Sequence, residues 1–185
     1  MPDRVKIGVG LFLFSEAWFF LILVITYAFF HSRSADGPSA ANSLNVMRTL
    51  AFSICLFLSS ATIHMASRSF RAGDRSGVSG WLALTVALGA IFLFGQTREY
   101  LGLFAHSVTI STNLFGSTFF TLTGFHGLHV LIGLVALGAL LGIALRGRQS
   151  AIHPSGFESV AMYWHFVDAV WVVIFTVVYI WPLVG

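Results

Sequence analysis

The chain has a single cysteine and very little charge. Cys55 has no second thiol to pair with, so structural disulfides and thiolate metal clusters are excluded. Charged residues make up 9% of the 185 positions, against about 25% in a soluble domain, while 57% are hydrophobic. That balance rules out a water-soluble enzyme. There is no glycine-rich phosphate loop ahead of a helix, no heptad pattern and no internal repeat, so neither nucleotide chemistry nor a coiled coil is indicated.

What the chain does have is length of apolar run. Five stretches, at 7–30, 46–66, 81–101, 115–145 and 157–183, reach the roughly 20 residues needed to cross the hydrocarbon of a bilayer. The expected architecture is all-α: an integral membrane bundle of five transmembrane helices in a single domain, 1–185. The intervening loops, of roughly 10–15 residues each, leave no room for a soluble catalytic unit. "HSRSADGPSAANS", "SRSFRAGDRSGVSG" and "GRQSAIHPSG" supply the turn-forming punctuation between runs. The start "MPDRVKIG" is basic, but the run after it is too long for a signal peptide, carries Glu16 and is followed by further spans, so it reads as a retained helix.

Lysine and arginine give an orientation. Arg4, Lys6, Arg68, Arg71, Arg75, Arg146 and Arg148 fall on one side of the membrane, and Arg33, Arg48 and Arg98 on the other. By the positive-inside rule the N-terminus lies inside and, after five crossings, the C-terminus outside. The net charge of +3 is then a matter of topology. It needs no nucleic acid to explain it, and lipid headgroups are the expected neighbours of Arg68, Arg71 and Arg75.

Ionisable groups within apolar spans are costly, and they mark either function or packing. Seven stand out: Glu16, His64, His126, His129, Glu158, His165 and Asp168. Glu16 lies about 14 Å into the first span, too deep to reach water by stretching. It is either a hydrogen-bonded structural carboxyl or a proton-handling group. Glu158 and His165 are seven residues apart and so share a helix face, with Asp168 one turn further on; His126 and His129 share a face of the fourth helix. A polar seam joining these residues to His64 across helices would satisfy each of them away from lipid. The competing reading is a haem or metal site. Against it, neither Glu16 nor Glu158 is followed three residues later by histidine, as a di-iron bundle requires. The fourth run is also rich in small residues, including Gly124, Gly127, Gly133 and the Gly138/Gly142 pair at GxxxG spacing, and so is built for close helix contact.

"GSTFFTLTGFHGLHVLIG" followed by "MYWHFVDAVWVVIFTVVYIW" resembles subunit III of the haem–copper cytochrome oxidases. "GVGLFLFSEAWFF", with Glu16, resembles that family's helix with a membrane-embedded glutamate; "ATIHMA", with His64, and "GQTREY", with Glu99, resemble its next two helices. The resemblance runs through nearly the whole chain, in order. It implies the short, five-helix bacterial form, which corresponds to the last five helices of a seven-helix long form. It further implies a multi-pass protein of the bacterial plasma (inner) membrane, a non-catalytic subunit of an O2-reducing, proton-translocating oxidase of the cytochrome c type. Such a subunit has no cofactor of its own beyond bound phospholipids, and the haem and copper belong to partner subunits. The implied partners are the catalytic subunit I, subunit II and phospholipids. The implied role is to stabilise the catalytic subunit, hold lipids and sustain proton uptake, with Glu16, His64 and Glu99 as the proton- or lipid-related residues. Subunit III of a quinol oxidase, a nitric oxide reductase accessory subunit, a stand-alone haem or metal protein and a proton-conducting bundle remain the alternatives.

Overall fold

A computed structural model describes residues 4–31, 46–105, 109–111 and 114–184. Five helices in it are long and apolar enough to span a membrane. They are α1 (Arg4–His31), α2 (Val46–Ala72), α3 (Arg75–Ala105), α4 (Leu114–Leu145) and α5 (Pro154–Phe175); α5 runs on through a π-helical turn, Thr176–Ile180, into a last turn, α6 (Trp181–Val184). Among the described residues there is no strand. Arg33 and the "HSRSADGPSAANS" stretch fall outside the described residues after His31.

The helices outrun the apolar stretches that announce them, most clearly between α2 and α3. There the expected basic loop shrinks to Gly73 and Asp74. Gly73 takes φ +74°, a left-handed conformation open to glycine, and the amides of Gly73 and Asp74 donate back to the carbonyls of Phe70 (3.2 Å) and Ser69 (3.0 Å). Those two bonds form a Schellman cap on α2. Asp74 then starts α3: its carboxylate accepts from the Gly77 amide (3.0 Å) and the Ser76 hydroxyl (2.9 Å), as an N-cap does, and these donors hold it below the usual carboxylate range. Arg68, Arg71 and Arg75 therefore sit on helix ends and not in a loop. The same glycine device, Gly147 at φ +69°, closes α4, and His153 with Pro154 opens α5.

The α2–α3 hairpin packs along α5 and α4, which form the middle of the bundle, while α1 lies outside against α4 and α5. Only 6% of the most apolar stretch of α1 is buried, against 28–39% for the other four spans. The core is aromatic, with Phe92, Phe115, Phe119, Phe157, Trp164 and Trp171 fully enclosed. Trp164 is at its centre. A methyl group added at Gly89 of α3 or at Gly133 of α4 would lie 2.7 Å from its ring, so two helices approach the indole as bare backbone. The Gly138/Gly142 pair behaves differently: a methyl at either position would meet nothing within 4 Å, so that GxxxG motif faces away from the bundle.

Candidate functional site

A polar pairing near the middle of both helices joins α1 to α4. His129 Nε2 lies 3.1 Å from Glu16 Oε2, and both side chains are largely enclosed. The other ring nitrogen, Nδ1, is 2.7 Å from the Phe125 carbonyl, an oxygen that can only accept, so Nδ1 carries a proton. One further proton is then shared between Nε2 and the carboxyl: either a neutral acid donates to a neutral imidazole, or a carboxylate faces an imidazolium. The pair lies near the middle of both α1 and α4. Tyr163 of α5 donates to the His129 carbonyl (3.0 Å), and Phe20 meets the imidazole edge-on at 5.0 Å. An apolar groove lined by Val9, Phe12, Ile132, Ala136 and Val160 runs alongside.

The other polar residues do not form the single seam expected from the sequence. Glu158 reaches neither histidine nor aspartate; it pairs with Lys6 of α1 and lies 3.9 Å from Arg71 of α2, tying three helices together at one end of the bundle. His165 contacts Ser60 of α2, Nδ1 to Oγ, at 3.1 Å. The seven-residue spacing does put Glu158 and His165 on the side of α5 that meets α2. Asp168 lies beside the same Ser60 hydroxyl, and His64 is near His165, but both imidazoles are on the outside of the bundle.

His126 departs furthest from expectation. It is fully buried with no hydrogen-bond partner for either ring nitrogen among the described residues, and it stacks on Trp171 (4.8 Å, 24°) with Phe92 edge-on at 6.0 Å. It fills an aromatic box and strands nothing when removed. His126→Leu is therefore expected to leave the unfolding midpoint of the detergent-solubilised protein unchanged or raised, because an apolar group of similar size removes an unpaired buried polar one. A clear drop would show that the ring has a polar partner in the assembled protein.

Two features were missed from sequence. The first is a ladder between antiparallel α2 and α5. The Trp171 indole donates to Ser53 Oγ and the Trp164 indole to Ser59 Oγ, both at 2.9 Å, and each serine hydroxyl donates in turn to a carbonyl of its own helix. Phe70 and Phe157 stack at 4.6 Å further along. The second is the setting of Glu99. Its carboxylate accepts from Tyr179 (2.6 Å) and from Thr49 (2.9 Å), joining α3 to α2 and to the π turn after α5. Both were signalled by Thr49, Ser53, Ser59 and Ser67, hydroxyl residues recurring at helical spacing on one face of α2. Among the described residues no group of three histidine, cysteine, aspartate or glutamate side chains is arranged to hold a metal ion.

Five helices long and apolar enough to span a membrane, packed through aromatic and small residues with a Glu–His pair between α1 and α4, define a multi-pass membrane protein. Comparison with known proteins makes the assignment specific. The model of the family "Cytochrome c oxidase subunit III" matches residues 2–183, and the chain belongs to that family. It is 40% identical to cytochrome c oxidase subunit 3 of Synechocystis, over 97% of this chain and 76% of that one. It is 37% identical to the Corynebacterium diphtheriae protein of the same name (96% and 88% covered) and 39% identical to that of Lumbricus terrestris (94% and 69%). Membership implies a complex with other oxidase subunits.

Proposed function

We propose that this chain is the accessory subunit III of a cytochrome c type haem–copper oxidase in a bacterial plasma membrane, with its N-terminus inside. In this reading it holds no redox centre. It binds the haem- and copper-bearing catalytic subunit I beside subunit II, keeps phospholipids on its faces and sustains proton uptake during turnover. The observation that carries the reading is the family match over residues 2–183 of a chain whose five spans are packed as a scaffold. The proton-related part rests on the Glu16–His129 pair, whose carboxyl and imidazole meet at 3.1 Å between two spanning helices.

The test is to purify the oxidase by a tag on this chain and follow it through prolonged turnover. The chain is expected to bring down a haem-containing subunit and to show no Soret band when separated from it. Glu16→Gln is expected to leave the initial rate of oxygen consumption within about twofold while shortening the active lifetime severalfold. Immediate loss of activity in a normally assembled complex would make Glu16 part of the reaction itself and overturn this reading of the pair.

A further inference from the structure

We propose that the face formed by Ser60 and His64 of α2 with His165 and Asp168 of α5 is where this chain docks on a transmembrane helix of the haem-bearing catalytic subunit, one that presents hydrogen-bonding groups at mid-membrane depth. The proposal rests on the reading of the chain as an oxidase subunit.

Depth is the first observation. α2 and the α5 span are each 27 residues long. Ser60 lies near the middle of α2, and His165 and Asp168 near the middle of the α5 span, about 17 to 21 Å from its start. His64 is one turn from Ser60. Headgroups do not reach such a position, and an imidazole is too short to reach them.

Exposure is the second. His64 and His165 are both on the outer surface of the bundle. Ser60 engages Nδ1 of His165, but no hydrogen bond to another described residue meets the second nitrogen of that ring or the His64 ring. Asp168 lies behind them beside Ser60 with its Oδ1 enclosed, so the open polar groups on this face are the imidazoles of His64 and His165. In hydrocarbon these groups would have neither water nor lipid to bond, a cost that membrane-spanning chains avoid by facing such residues inward or towards a partner.

Contrast with the other faces is the third. The outer side of α1 presents Leu11, Phe14, Ile22 and Ile25, and that of α4 presents Leu128, Leu131 and Val135, all exposed and all apolar. Those faces suit acyl chains. The α2–α5 face carries donors and acceptors of both kinds, which suits a polar protein surface, and the family is one of subunits that assemble with other chains.

The experiment uses the assembled oxidase in its native membrane. A benzophenone amino acid is placed at Ala61 or Met162, which border the cluster, or at Ile22 or Leu131 on the apolar faces. Irradiation is expected to link positions 61 and 162 to the haem-bearing subunit, while positions 22 and 131 give lipid adducts. In parallel, the His64→Leu, His165→Leu double variant is expected to lower retention of the chain on the complex about tenfold in a detergent wash, with the isolated chain as stable as before. Lipid adducts at 61 and 162, adducts with a second copy of this chain, or full retention of the double variant would overturn the docking face. Failure of the chain to bring down any haem-bearing subunit would instead overturn the assignment to an oxidase.

Discussion

Gly133→Leu is expected to be the most damaging single substitution in this protein. The Trp164 ring sits between the backbones of α3 and α4, with Gly89 on one and Gly133 on the other, and its N–H is held by Ser59 of α2. Even a methyl at 133 would meet the ring at 2.7 Å and the Tyr163 ring at 3.2 Å. The indole cannot withdraw without breaking its bond to Ser59 or pressing on α3, so relief requires α4 itself to move. Overpacking costs roughly 1–3 kcal/mol where side chains can shift, and a rigid ring trapped between helices puts this site at or above the upper end. The measurement is the unfolding midpoint in detergent together with the yield of chain in the purified complex. Gly138→Leu on the same helix is the internal control: nothing lies within 4 Å of a Cβ added there, so the bundle should tolerate it. Equal damage from both would mean that helix propensity and not the Trp164 contact is responsible.

Glu99→Ala is the second large effect. It removes the acceptor for two hydroxyls at once, Tyr179 and Thr49, on two other elements. A buried donor that loses its acceptor costs about 1–3 kcal/mol, and because the Tyr179 and Thr49 hydroxyls also meet each other the expected loss stays within that range. Tyr179 reaches the carboxylate from within the π turn Thr176–Ile180, whose wider winding shifts the residues after it relative to a continuous α-helix. Glu99→Gln should be milder, since the amide oxygen still accepts from Tyr179. A double-mutant cycle of Glu99→Ala with Tyr179→Phe, read as unfolding free energy, should give a coupling within the 0.5–3 kcal/mol range of contacting pairs. Additive effects would show that the two residues do not depend on each other.

The membrane-spanning bundle was legible because each run is long and nearly uncharged, and little besides a helix can satisfy backbone groups in lipid. The ends were less so: hydropathy falls at the membrane surface, whereas α2 continues to Ala72 until Gly73 and Asp74 cap and restart the chain. Glu16 was recognisable as a deep carboxyl, but its partner was not, since spacing within α4 ties His126 to His129 and says nothing of which one α1 will face. The two resolve differently, His129 to Glu16 and His126 to an aromatic box, because the choice depends on how α1 and α5 are set around α4. Small residues were likewise ambiguous. Gly133 and Gly138 look equivalent in sequence, and only the place of Trp164 on a neighbouring helix separates them.

The slight burial of α1 bears on how the protein can be handled. With so little surface committed to its neighbours, this rod is held by Glu16 at its middle, by Lys6 at its base and by a few aromatic rings. Apolar contact contributes little drive while lipid surrounds the chain. Extraction conditions that strip native lipid or compete for such contacts should loosen it before anything else comes apart, leaving the other four spans intact. A preparation can thus keep its absorbance, its mass and most of its helicity while Glu16 and His129 have already been pulled apart.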